Sequence, residues 1–346
     1  MSLVLDGLVK RFGSVTALDG ISFEVPKGQV FGFLGANGAG KTTAMRIVLD
    51  ILRPDAGAAT WDGTPTTDVA RETWGYLPEE RGLYPRLTVL DQLVFFASLY
   101  GIPRDVAATR AREWLARLRI PDYATRRAEE LSKGNQQKIQ LIAAILHDPA
   151  VLLMDEPFVG LDPVNVALLK EAFGEMRARG STLIFSTHQM EMVEELCEAV
   201  ALIDKGRVVL AGPIRDVKRS TGRRVVRLAL EGRGRKDRGL EDRGLARAHE
   251  TSPTDRDGDG SIPWLAELPG VRVSRWGQDY AELEVPHDVD PELVLRTALE
   301  NGERVTNFLI ADPSIEEIFI EHVGRPPTSA EEKHLATSAA GEEAAR

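Results

Sequence analysis

Three short stretches hold residue types whose spacing could do chemistry. The first, GANGAGKT at Gly35–Thr42, fits the spacing G-x-x-x-x-G-K-[ST]. Glycines at those positions let successive backbone amides turn inward around phosphate oxygens. Gly35, Ala36, Asn37, Gly38, Ala39 and Gly40 would form the cradle, and Lys41 would reach the β and γ phosphates. Thr42 would give its hydroxyl to Mg²⁺, and Thr43 continues into the following helix, whose amino end attracts anions. A strand-like QVFGFL precedes the loop and a helix-like TAMRIVLDIL follows it, the context this phosphate-binding loop (P-loop) requires.

The second stretch, VLLMDEP, sets Asp155 at the end of an apolar run, where a carboxylate can hold Mg²⁺. Glu156 follows and could polarise a water for attack on a γ-phosphate. Read alone, the pair could also be a strand-end cap and a solvated neighbour. The third, IFSTHQ, ends a similar run at His188, which is read as a γ-phosphate contact rather than a structural histidine.

Elements must bring these residues to one edge. The runs at 28–35, 150–157 and 181–188 are short, apolar and polar only at their carboxyl ends, and helical patterns lie between them. That pattern predicts parallel strands buried on both faces of an α/β sheet, with ligands outside the strands' carboxyl ends. Residues 71–130 read as mostly helical, a subdomain inserted into the α/β core. The domain expected to carry the site is 1–222. A small α+β domain follows over 223–324, ending in the helical DPSIEEIFIEHVG. Within it, 231–260 has charged residues and glycine but no Val, Ile or aromatic residue, so a flexible insertion is expected. A disordered tail is expected over 325–346.

Composition limits the function classes. The 346 residues carry a net charge of −10, which argues against a duplex-binding protein, and no nucleic-acid partner is expected. The single cysteine, Cys197, excludes an internal disulfide and suits a reducing cytoplasm. It is read as a small buried hydrophobe. MSLVLDGLVKRF lacks the apolar core of a secretory signal, and no run approaches the ~18 apolar residues of a membrane span.

LSKGNQQK at Leu131–Lys138, about 20 residues before the acidic strand, completes a resemblance. With the other motifs in order over roughly 3–222, the chain resembles the ATP-binding cassette (ABC) family. The resemblance implies a P-loop NTPase nucleotide-binding domain with an inserted helical subdomain. It implies a head-to-tail homodimer or heterodimer, with ATP clamped between one subunit's P-loop and the other's signature. Ser132 would then cap a helix aimed at the partner's γ-phosphate, and Gly134 would allow close approach. Lys133 and Asn135 depart from the usual glycine and glutamine; Lys133 is read as extending into solvent. Phe12 matches the aromatic that stacks on adenine, Asp162 the loop linking the two sites, Glu156 the catalytic glutamate and His188 the switch histidine. In GYLPEERGLY, Glu79 stands where the family has a glutamine. A carboxylate there would bind Mg²⁺ more strongly and repel the γ-phosphate without it, so Glu79 is expected to act as a Mg²⁺-dependent sensor.

The implied function is the ATPase subunit of an exporter-type ABC transporter, peripheral on the cytoplasmic face of the cell membrane and powering separate transmembrane permease subunits. The alternative is a soluble ABC ATPase acting in translation or DNA repair. Such relatives have two cassettes or a long coiled coil, and this chain has one P-loop. The C-terminal domain is read as a dimer-stabilising extension rather than a ligand sensor.

Overall fold

A computed structural model describes residues 2–80, 82–231, 263–276 and 280–324. The expected flexible insertion, except Glu231, and the expected disordered tail lie outside the described residues. The chain divides into two compact units, one of residues 2–217 with 315–324, the other of residues 218–314.

The first unit holds two sheets. Strands β1 (Ser2–Phe12), β2 (Val15–Pro26), β4 (Ala56–Trp61) and β5 (Thr64–Pro65) form an antiparallel sheet in the order β2-β1-β4-β5. The second sheet runs β10-β9-β3-β8-β7-β6, built from β3 (Val30–Leu34), β6 (Trp74–Leu77), β7 (Val151–Asp155), β8 (Thr182–Thr187), β9 (Ala199–Asp204) and β10 (Arg207–Pro213). Its strands are parallel except β10. Every residue of β3, β7 and β8 is buried, because both faces are covered. Alternation divides each strand between two cores. Val151 and Leu153 join the core shared with the antiparallel sheet, while Leu152 and Met154 face the helices. Register then aligns the carboxyl ends, with Asp155 opposite Ser186 and Leu34 opposite Thr187.

Helices α1 (Lys41–Val48), α2 (Val89–Ser98), α3 (Arg104–Arg117), α4 (Lys133–Ile145), α5 (Pro163–Ala178) and α6 (Met190–Leu196) belong to this unit, and α7 (Ile214–Arg219) straddles its end. The inserted helical region is α2–α4, with Leu93, Ala97, Ala111, Trp114 and Leu115 buried. Its start differs from the expected residue 71: Trp74–Leu77 is an outer strand of the core sheet, paired in parallel with β7. Four apolar residues show no period of their own, so the pairing partner decides their state.

The second unit is a sheet of order β12-β13-β11-β14, from β11 (Arg223–Leu230), β12 (Arg272–Trp276), β13 (Ala281–Pro286) and β14 (Val305–Ala311). Helix α8 (Glu292–Glu300) covers one face through Val294 and Ala298. The last helix, α9 (Ile315–Val323), follows the C-terminal sheet in sequence, and its Ile315, Ile318 and Phe319 are buried in the first unit's core, where the Glu194 carboxylate of α6 accepts from the Ile315 amide. An amphipathic pattern requires a buried face but does not name the surface that buries it.

Candidate functional site

The loop from Gly35 to Gly40 links β3 to α1. At Gly40 the backbone φ is +110°, and a Cβ there would lie 2.5 Å from the Ala17 carbonyl oxygen. Glycine is required on both counts. Asn37 and Gly38 are exposed at the tip while Gly35, Ala36 and Ala39 are buried. Lys41 is buried and donates to the carbonyls of Gly35 (2.7 Å) and Ala36 (3.3 Å). Thr42 and Thr43 occupy the first turn of α1, half-buried.

Strands β7 and β8 deliver the acidic group. Asp155 is 1% exposed, and hydroxyls engage both its carboxylate oxygens. Thr42 Oγ1 donates to Oδ2 at 2.5 Å, and Ser186 Oγ donates to Oδ1. Glu156 leaves the strand at a left-handed φ of +49°, its amide donating to the Ser186 carbonyl at 3.1 Å. His188 Nδ1–H donates to Glu156 Oε1 at 2.8 Å, and Lys41 Nζ lies 4.0 Å from the same oxygen. Glu156 Oε2 is buried without a hydrogen-bond partner. The hydrogen bond to Glu156 is the main cause that raises the His188 pKa above its ordinary value, and burial opposes it. Glu79 is exposed at its loop, yet its carboxyl pKa is raised, first by partial desolvation and then by the charges of Asp155 and Glu156.

The structure thus brings Lys41, Thr42, Asp155, Glu156 and His188 together, with Glu79 within their field. Among the described residues, no contact found brings Phe12, Ser132, Gly134 or Asp162 to them. Ser132 caps α4, accepting from the Asn135 amide at 3.4 Å. Asp162 caps α5, accepting from the Asn165 amide (2.9 Å) and side chain (2.7 Å). A Cβ on Gly134 would lie 3.2 Å from Asn165 Nδ2, so the two caps are neighbours. Lys133 is exposed. Phe12 is 48% exposed, with Lys10 Nζ 5.6 Å from its ring centroid.

Sequence reasoning missed three supporting residues. Ser186 fixes Asp155 and Glu156 together. Gln140 donates to the Glu80 carbonyl at 3.1 Å, tying α4 to the loop of Glu79. Lys138 is buried and donates to the Leu118 carbonyl at 3.0 Å; desolvation lowers its pKa. The available signal was polar type within runs that were otherwise apolar, since buried polar groups must find partners.

The arrangement suits a nucleotide with a hard cation. Thr42 and Asp155 already converge as oxygen donors, of the kind that Mg²⁺ takes. No group of three His, Cys, Asp or Glu among the described residues could hold a metal ion alone.

Known proteins match this chain along most of its length. The family model for ABC transporters matches residues 18–159, and that for the C-terminal domain of DrrA1-3-like ATP-binding proteins matches 212–323. The ABC transporter ATP-binding protein YhaQ of Bacillus subtilis (strain 168) is 40% identical over 322 residues, 93% of this chain and 98% of that protein. This chain belongs to the ABC transporter ATP-binding protein family. The ABC protein is therefore an ATPase that binds ATP through the P-loop NTPase fold. It is also similar to Nod factor export ATP-binding protein I of Paraburkholderia xenovorans (strain LB400), at 38% identity over 61% of this chain and 70% of that one. A solved structure of an ABC transporter ATP-binding subunit superposes with a TM-score of 0.60 at 29% identity, covering 64% of this chain and 94% of the other. The C-terminal family model spans α9, although in space that helix packs on the ATPase unit. No helix of the described residues is long and apolar enough to cross a membrane.

Proposed function

We propose that this ABC ATPase dimerises head to tail around two ATP molecules and powers export through separately encoded membrane subunits, at the cytoplasmic face of the cell membrane. The observation that carries the catalytic part is the Glu156 carboxylate. One oxygen is held by His188 beside Lys41, and the other is buried with no hydrogen-bond partner among the described residues. A general base needs this orientation: anchored on one side, with one oxygen able to accept a proton from a water. That water's oxygen attacks the γ-phosphorus, the bond to the bridging oxygen breaks, and ADP leaves. Lys41 stabilises charge on the phosphate oxygens, and His188 holds Glu156 and contacts the γ-phosphate. Thr42 and Asp155 would hold Mg²⁺, with Glu79 the nearby acidic group that responds to its presence. The bound cation would neutralise charge on the phosphate oxygens. Phe12 would stack on adenine, while Ser132, Gly134 and Asp162 would meet the partner's nucleotide.

Export is supported by the similarity to a Nod factor export protein. Docking on membrane subunits is supported by an aromatic cluster in the helical region: exposed Tyr84 and Phe95 and half-buried Phe96 lie with ring centroids 5.8 Å apart, and Leu99 is 65% exposed. The test is a pull-down of tagged Glu156→Gln from solubilised membranes with ATP and Mg²⁺. The variant binds ATP without hydrolysing it, and a polytopic membrane protein is the expected catch. Recovery of ribosomes or nucleic acid would overturn the transporter reading in favour of a soluble ABC ATPase.

A further inference from the structure

Sheets end in edges, and an unprotected edge pairs with another strand. Among the described residues the three sheets have six edges, and five of these are blunted. Strand β2 carries Asp19, Glu24 and Pro26; β5 has two residues, one of them Pro65; β10 carries Arg207 and Pro213. Strand β6 is four residues long, and β12 carries Arg272 and Arg275 within five. The sixth edge is β14, VTNFLIA, with seven residues, no charge and no proline. Leu309 is 48% exposed and Ile310 41% exposed on it, and Thr306 and Asn307 are exposed as well.

We propose that β14 is a homodimerisation edge, pairing antiparallel with β14 of a second copy so that Leu309 lies opposite its own symmetry mate. The occupant is identified by self-complementarity. Centred on Leu309, the pairing sets Phe308 opposite Ile310 in both directions and Asn307 opposite Ala311. Phe308 and Ile310 share the α8-covered face, since they pair with Leu228 and Val226 of β11, both buried in that core. The two apolar rows therefore meet and extend that face into the second copy. Centring on Phe308 would instead oppose Asn307 to Leu309 and Thr306 to Ile310, and centring on Ile310 would oppose Phe308 to Asp312. A two-fold axis makes such a contact closed, so it stops at a dimer. An uncharged strand also meets its own copy without like-charge repulsion.

This contact needs no nucleotide, so its failure would leave the proposed ATP-dependent dimer untouched. The full-length protein is tested without nucleotide. Leu309→Cys is oxidised with diamide beside Asn307→Cys and the unsubstituted chain, whose Cys197 thiol pKa is raised by burial. Directly opposed residues lie within disulfide reach, whereas residue 307 and its mate would be four positions apart, about 13 Å. Leu309→Cys is expected to cross-link at least tenfold faster than Asn307→Cys, and light scattering is expected to show a dimer that Leu309→Lys converts to monomer. Equal cross-linking of the two cysteine variants, or a monomeric unsubstituted protein, would overturn the proposal. So would co-purification of a different protein that Leu309→Lys releases.

Discussion

Replacing Ser186 by alanine tests whether the acidic group is held as its geometry states. Ser186 is 0% exposed, and its hydroxyl donates to a carboxylate that is 1% exposed. Alanine removes this bond and adds no volume. The Glu156 amide keeps the Ser186 carbonyl at 3.1 Å and loses only its longer 3.3 Å contact with the hydroxyl. The loss is therefore one bond to a charged group, about 1.5–3 kcal/mol, because no solvent reaches Asp155 Oδ1 to replace it. A change of about 2 kcal/mol would raise the opening equilibrium of this lobe roughly thirtyfold. Hydrogen exchange of the β7 and β8 amides measures that opening, and amides of the β11–β13 sheet supply an internal reference. A shift below about 0.5 kcal/mol would refute the reasoning, since Asp155 would then have found another donor.

A pH effect is expected from His147, whose Nε2–H donates to the Trp74 carbonyl at 3.0 Å, whose ring stacks on Tyr100 and whose Nδ1 is buried without a partner. Burial lowers its pKa below 6.5, so the unfolded chain takes up the proton first on acidification. The contribution to stability is full above about pH 6.5 and is lost as pH falls through the depressed folded value. Melting temperatures at pH 7.5 and 5 should therefore converge more in His147→Gln than in the parent, and an NMR titration giving a pKa of 6.5 or above would contradict this. Gly40→Ala is expected to cost about 1–3 kcal/mol of strain in the P-loop and to weaken nucleotide binding at least tenfold, measured with a fluorescent ATP analogue. Undiminished binding would show that the loop can shift away from Ala17.

The parts of the candidate site could be picked out in the sequence because each is local. The P-loop fixes its own backbone through glycines within Gly35–Thr42, and Asp155, Glu156 and His188 each end an apolar run whose polarity marks the strand's carboxyl end. A contiguous motif that is hydrophobic on both sides constrains the local conformation in any context that buries it. What joins these parts was not local. The Ser186 bridge to Asp155 exists because β7 and β8 pair in one register, and a slip of one residue would turn the serine to the other face. Gln140 reaches Glu80 across 60 residues, a meeting that only the docking of α4 creates.

The sequence by itself determined the types of the strongly patterned elements, the glycine-rich loop after β3 and the strand ends that carry charge. Helix α9 marks the boundary of that knowledge. Its spacing of Ile315, Ile318 and Phe319 required a buried face, but the surface that buries it lies on α6, far back in the chain. Likewise Trp74–Leu77 became a strand only because β7 offered it a ladder. Periodicity is a property of one segment, whereas burial belongs to a pair of surfaces, and the second surface appears only when the chain has folded.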